Sequence, residues 1–493
     1  MPAILIPFEL SLPKCLPTIE GNVDYQTFRQ RLIEIDHMLV HSGLETQFIQ
    51  ADLEQWLQGQ KRVTAKAQQN RQMHSRRALR CNIVRMLLHE GYRPFAVRLA
   101  DSPAIQWFCG LGEVDRVKVP AKSALQRYAT WWSEAQVRQL AQQLLLTGAQ
   151  QPEKVHLPEA IDLESCFLDT TCVEANIHYP VDWVLLRDAT RTLMKAVGLI
   201  RAQGLKHRME APELFITRIN RLCIEMTHTG AKADSQRQRK KTLRKMDKMV
   251  GTVAAHARRY RKLLEEDWSQ TDWTGPQAEQ VLGRIDQVLE QLPKARQQAR
   301  QRILSGQLVA NEEKILSLYE QDVHVIVRKK AGAEVEFGNT LLLGENPQGL
   351  IIDWEFFKES APADARLLRG SVQRMRTAYG PVLQDLGADR GFDSRANQEI
   401  LRELDIYNGV CPRSPDELKE RARSWKFRKL QRRRSQTEGR VGILKNVFVG
   451  RPMRSKGYEN RALTVTWAVL THNLWVMARM TLAAQKQQQK LAA

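Results

Sequence analysis

SCFLD, residues 165–169, is a short apolar run that ends on an acid. Upstream of it the chain reads as helix to about residue 150, with apolar residues at helical spacing in Ala78–Leu88 and Val137–Leu146. At Ser165–Leu168 the pattern changes to strand, and Val181–Leu186 supplies a second short apolar run of the same kind. Helical character then fills residues 190–320, including a stretch dense in Lys and Arg from Lys232 to Lys262. Strands return at Val323–Val327, Val335–Leu343 and Leu350–Phe357, followed by a helix near Ala363–Tyr379, another over Arg395–Leu404, and a strand at Tyr407–Cys411. The expected fold is therefore α/β, one sheet-containing core interrupted by a large all-α insertion.

A chain of 493 residues is long enough for several domains. The boundaries expected are a helical domain at 1–150, a core made of 160–190 and 320–482, the insertion at 190–320, and a disordered tail at 483–493 rich in Gln and Lys. Its 75 Lys and Arg against 55 Asp and Glu leave a net charge of +20, an excess suited to a polyanion. Ala462–Ala478 is long and apolar but carries Thr464, Thr466, Thr471, His472 and Asn473, so a buried helix is expected and no membrane partner. The seven cysteines show no zinc-type spacing and fit a reducing, cytoplasmic setting.

Three acids stand in contexts that could serve phosphodiester chemistry. Asp169 follows the apolar run and should sit at a strand end or a turn. Asp389 lies in GADRGFDS, residues 387–394, where glycines loosen the backbone and Ser394 can cap the next helix. Glu438 lies in RRRSQTEGRVGILKNVF, residues 432–448, on one helical face with Arg434 and Lys445. Each has an ordinary alternative as a turn residue, a cap or a member of a surface charge pair. Glu174 and Asp353 compete less strongly, Asp393 suits a cap, and His178 and His472 suit structural hydrogen bonds.

Together the segments FLDTTCVEANIHYP (167–180), ADRGFDS (388–394) and the helix headed by Glu438 resemble the bacterial insertion-sequence transposases that carry a DDE triad on a ribonuclease-H-like core. In one branch of that family a Tyr precedes the Arg, Glu and Lys of the third segment. Arg434, Glu438 and Lys445 keep the branch spacing, with three and then six intervening residues, while Gln431 occupies the Tyr position. The resemblance extends upstream to MLLHEGYRPFAVRLADSPAIQWFCGLG (86–112) and VPAKSALQRY (119–128), similar to the helical DNA-binding region of such enzymes. It implies that Asp169, Asp389 and Glu438 bind Mg2+, with Mn2+ as an alternative, and that the protein cleaves transposon ends and joins the 3′-hydroxyl to target DNA by two-metal-ion chemistry. A non-cutting DNA-binding descendant and a nuclease of the same fold are the competing readings.

The implied partner is double-stranded DNA, both terminal inverted repeats and target, held by a homodimer in the nucleoid. For DNA contacts the sequence offers two basic groups. Arg434 and Lys445 flank Glu438, and Lys426, Arg428 and Lys429 stand in a basic run with Trp425 and Phe427 interleaved. In the N-terminal block, Ser123 is read as the cap of a helix that buries Leu125, Tyr128 and Trp132 and turns Lys122, Gln126 and Arg127 outward, as a recognition helix requires. Arg76, Arg77 and Arg80 are expected to begin another phosphate-contacting helix.

Overall fold

The computed structural model describes residues 16, 18–60, 62–112, 117–229, 234–330 and 333–492. Its first helices are α1 (Val23–His41), α2 (Leu44–Gln58), α3 (Ala65–Leu88), α4 (Tyr92–Asp101), α5 (Pro103–Phe108), α6 (Lys122–Ala129) and α7 (Glu134–Gln150). They close no core of their own. Leu32, Ile83, Phe108 and Leu140 belong to the same continuous cluster as Leu343, Leu386 and Leu474 of the sheet and the last helix. Arg138 of α7 shows how the two parts meet. Its Nη1 donates to the Trp354 carbonyl at 2.9 Å and its guanidinium lies 4.2 Å from the Trp354 ring centroid.

Strand β1 (Ser165–Glu174) runs past Asp169, so the acid lies within the strand and not at its end. Thr170, Thr171, Cys172 and Val173 suit a pleated backbone and carry it on. The strand expected at Val181–Leu186 is instead the cap and first turn of α8 (Asp182–Ala202). Six residues could not reveal the period, whereas the full helix buries Leu185, Leu186, Ala189, Leu193, Val197 and Ile200 at helical spacing. With α9 (Pro212–His228), α10 (Ser235–Asp267) and α11 (Gly275–Ala299), α8 forms an all-helical insertion around its own cluster, which includes Ile219, Met246, Val250 and Ile285. Along α10 the buried face is Leu243, Met246, Val250, Val253, Ala257, Tyr260 and Leu264, and Lys241, Arg244, Lys245, Lys248, Arg258 and Arg259 are exposed.

The chain then returns through β2 (His324–Lys330), β3 (Ala333–Glu345), β4 (Ile351–Phe356), α12 (Leu368–Tyr379), β5 (Asp385–Ala388), α13 (Arg395–Glu403) and β6 (Tyr407–Val410). The strand order is β2-β3-β1-β5-β6, with β4 also paired to β3. β3 is antiparallel to β1, β2 and β4, whereas β5 is parallel to β1 and β6 parallel to β5. Asn339, fully buried, joins the ends of β2 and β4 by donating to the Asp322 carbonyl at 2.6 Å and the Phe357 carbonyl at 2.9 Å.

Four helices finish the chain: α14 (Pro415–Arg421), α15 (Trp425–Arg434), α16 (Thr437–Ile443) and α17 (Tyr458–Ala492). α17 buries Val465–Leu470 and Leu474, as the interrupted apolar run predicts, and packs on β4, α7, α3 and α1. Among the described residues no helix is long and apolar enough to cross a membrane. The tail expected to be disordered from 483 continues α17 to Ala492, because its Ala, Gln, Lys and Leu are good helix formers extending an anchored helix. Gln485 Nε2 reaches Glu34 Oε1 on α1 at 3.1 Å. None of the six described cysteines is in a disulfide.

Candidate active site

The register of β1 and β5 pairs Leu168 with Ala388, and Asp169 and Asp389 follow those two residues. Asp389, the first residue after β5, keeps an extended backbone, with φ −81° and ψ −178°, and caps the turn that follows. Neighbouring parallel strands stand about 4.8 Å apart, and in-register side chains share a face. Two acids separated by 220 residues in sequence thus project side by side. Each carboxylate is oriented by a backbone donor. The Thr170 amide reaches Asp169 Oδ1 at 2.8 Å, and the Gly391 amide reaches Asp389 Oδ1 at 2.8 Å.

A third carboxylate that the sequence reading missed belongs to the same place. Asp364 lies in a one-turn helix before α12 and accepts from the Thr170 hydroxyl at 3.1 Å. It also faces the GADRGFDS loop. A Cβ built on Gly391 would fall 2.7 Å from Asp364 Oδ2 and 3.0 Å from Asp389 Oδ1. A side chain at this position would therefore have to push the two carboxylates aside. Asn397 holds the two loops together, donating to the Ala365 carbonyl at 2.9 Å and the Phe392 carbonyl at 2.7 Å. Arg413 clamps the same loop from outside, with Nε 3.1 Å from the Arg390 carbonyl and Nη2 3.2 Å from that of Gly391.

Ser394 caps α13 as expected, accepting from the Asn397 amide at 3.2 Å. Asp393 is not a cap: it takes the Arg413 amide at 2.8 Å and the Gln398 side chain at 2.9 Å.

Glu438 stands exposed in the first turn of α16, the helix that packs against β1. The single helical face expected for Arg434, Glu438 and Lys445 is divided. Arg434 ends α15, Ser435 and Gln436 form a turn, and Lys445 lies in a π-helical segment from Leu444 to Val449. Both turn residues keep right-handed helical angles, so the winding is offset and not reversed. A π turn takes more residues than an α turn and rotates Lys445 away from the register that α-helical counting gives. Lys445 and Arg434 are both half-buried.

Behind this helix lies a buried charge cluster. Glu345, at the end of β3, pairs with Arg433 and, at 3.1 Å, with Arg440. Burial outweighs both guanidiniums and pushes the Glu345 carboxyl up. Arg433 also donates to the Pro347 and Asn346 carbonyls and is a structural residue.

Gln431, at the position where one branch of the resembling family has Tyr, reaches from α15 to the strand ends. Its Nε2 lies 2.6 Å from the Gly409 carbonyl and 3.4 Å from the Ala388 carbonyl, one residue before Asp389.

The competing acids have other duties. Asp353 is buried and accepts from Ser371 Oγ at 2.6 Å and from Arg374 at 2.8 and 2.7 Å, the partners its burial requires. Glu174 pairs with Arg451 at 2.5 Å. His472 is buried beside Asn473, and burial pulls its imidazole down to about 4. His178 is exposed and lines a cleft of about 340 Å³ between the insertion and the sheet.

Of the predicted DNA contacts, Lys122, Gln126 and Arg127 are exposed on α6 as expected. The helix begins at Lys122 with Ala121 as its cap residue, so Ser123 is already inside the helix and makes no cap. Trp132 is buried but lies beyond the helix. Arg80 is corrected: it is 6% exposed and holds Glu45 through Nε at 2.7 Å and Asp36 through Nη1 at 2.6 Å. α3 begins at Ala65, well before Arg76, and Arg77 Nε donates to the Gly110 carbonyl. Lys426 pairs with Asp385 at 2.5 Å while remaining half-exposed, Arg428 donates to the Ala422 carbonyl, and Lys429 stands over the Trp425 ring.

Comparison with known protein families, with curated proteins and with solved structures finds no match for this chain, so the site is read from its own residues.

Proposed function

We propose that this protein is a DNA transposase that cleaves transposon ends and joins the freed 3′-hydroxyl to target DNA, on a core of ribonuclease-H type. The observation that carries the reading is that Asp169 lies in β1 and Asp389 directly follows β5, the adjacent parallel strand, with Asp364 bonded to Thr170 and facing Gly391. The strand order, three antiparallel strands followed by two parallel ones beside β1, accords with such a core.

The donor set suits hard divalent ions. Carboxylate oxygens are what Mg2+ and Mn2+ prefer, and the two carboxylates of Asp364 and Asp389 that meet at Gly391 call for counter-charge. Asp169 and Asp389 would hold the ions, with Glu438 completing the set from the helical side and Asp364 as a further ligand. Bound there, the ions supply an activated water and neutralise charge on the scissile phosphate.

The chain's own contribution is positioning. The Thr170 and Gly391 amides fix the carboxylate planes, and the Thr170 hydroxyl sets Asp364 against Asp169. Arg434 and Lys445, on either side of Glu438 in sequence, would hold phosphates beside the cut. The exposed bases of α10 and α6 offer further backbone contacts, and a homodimer would bring two ends together.

The test uses duplexes carrying the DNA that flanks the gene. Asp389→Ala and Asp169→Ala should bind them as the parent does and lose Mg2+-dependent nicking. Nicking retained by either variant would contradict the proposal.

A further inference from the structure

A second group of metal-ligating side chains lies away from the acid cluster, where the first and last helices meet. Glu34, His37 and His41 are spaced three and then four residues apart on α1, so one helical face carries all three. His156 comes to them from the turn after α7, with φ 56°, a left-handed backbone that costs a residue with a Cβ. Its Nδ1 lies 2.8 Å from Glu34 Oε2, and Glu34 is 5% exposed.

The His37 ring stands edge-on between two others, with centroids 5.3 Å from His41 and 5.5 Å from His156. One ligand atom each from Glu34, His37 and His156 lies within 4.8 Å of the others. Two imidazoles on one tetrahedral ion with bonds of about 2.1 Å have ring centroids about 5 Å apart, which is the spacing here.

A Glu34–His156 ion pair alone explains one of these contacts. It leaves the edge-on His37 and the left-handed backbone of His156 unexplained. We propose that Glu34, His37 and His156 bind a single borderline transition-metal ion of the Zn2+ class, with His41 beside the fourth position. Imidazole donors select such ions over Mg2+, so this site and the acid cluster take different metals.

The site has a mechanical consequence, because α17 grips both sides of it. Gln485 donates to Glu34 Oε1 at 3.1 Å, and Thr481 Oγ1 donates to the His156 carbonyl at 2.7 Å. A bound ion therefore pins α1, the turn after α7 and the C-terminal helix together. The half-exposed His156 side chain gives it a way in.

The experiment takes the full-length protein, stripped with chelator, and titrates it with Co2+ as a visible probe and then with Zn2+. The parent is expected to bind one Co2+ with the absorption of a tetrahedral centre, to exchange it for Zn2+, and to melt higher with either ion. His37→Gln leaves the Glu34–His156 pair intact, so a merely structural cluster would not respond to it. Here it should weaken Co2+ by more than the roughly 10- to 100-fold that losing an outer-shell partner costs. Asp389→Ala should leave the band unchanged. No band in the parent, or equal affinity in His37→Gln, would overturn the assignment.

Discussion

The two halves of the acid cluster are built by opposite means. Asp169 is carried by a hydrogen-bonded strand and Asp389 is the first residue after one, so the sheet brings them to neighbouring positions and backbone amides orient their carboxylates. Glu438 is carried by a seven-residue helix with a turn before it and a π segment after it, and its side chain is exposed. An acid held by the sheet cannot move without disturbing it, whereas a short helix whose Arg440 pairs with Glu345 above a small apolar cavity can shift at small cost. If the proposed function holds, metal would be gathered first by the strand side, and the helix side would close on it when DNA is bound.

Five perturbations bear on this contrast. Removing a strand acid, as in Asp389→Ala, should lower cleavage by about a thousandfold or more, since a metal clamp supplies several kcal/mol of transition-state stabilisation. Glu438→Ala should spare metal binding to the free protein while blocking cleavage. Equal loss of metal by both variants, measured by calorimetry, would erase the distinction.

Gly391→Ala is the next largest. The added methyl meets Asp364 and Asp389, and a displacement on the ångström scale should cost about 100-fold in cleavage with only a small change in melting temperature. Gln431→Leu follows. It removes the bond to the Gly409 carbonyl and the longer one to the Ala388 carbonyl, which keeps the Cys411 amide, and should reduce cleavage about tenfold and stability by about 1 kcal/mol, the net worth of a hydrogen bond. Activity equal to the parent would show that α15 does not position Asp389.

The smallest effect on chemistry concerns His472, which lines the cavity beneath α16. Its folded value of about 4 lies below the unfolded value of about 6.5, so the unfolded chain binds the extra proton between them. Stability should therefore be unaffected above pH 6.5 and fall by about 3 kcal/mol as pH drops to 4, without further loss from this group below that. His472→Asn should flatten that part of the stability curve in denaturant titrations. An unchanged slope would mean that the imidazole does not titrate on unfolding.

What was legible in the sequence follows the same division. The apolar run before Asp169, the glycine-bracketed Asp389 and the interrupted apolar run of α17 are local patterns, and each marks the kind of element expected, although the strand continues past Asp169 instead of ending there. The strand at Val181–Leu186 failed because a short apolar run fits either period, and only Ala189, Leu193 and Val197 further along reveal a helix. Arg80 looked like one of three exposed bases, and only Glu45 and Asp36, on other helices, bury it. Asp364 had no signal at all. It joins the cluster through Thr170, 194 residues away, and through Asn397, which are tertiary contacts that no spacing rule foretells.

The central claim is that Asp169, Asp364 and Asp389 share a metal site. Replacing Mg2+ with Fe2+ in the DNA-bound protein, adding ascorbate and peroxide, and mapping the cut peptides by mass spectrometry tests it directly. The account predicts scission at β1 near Asp169, near Asp364 and in the GADRGFDS loop, all lost together in Asp389→Ala. Cuts confined to other parts of the chain, or cuts at those three places that persist in the variant, would contradict it.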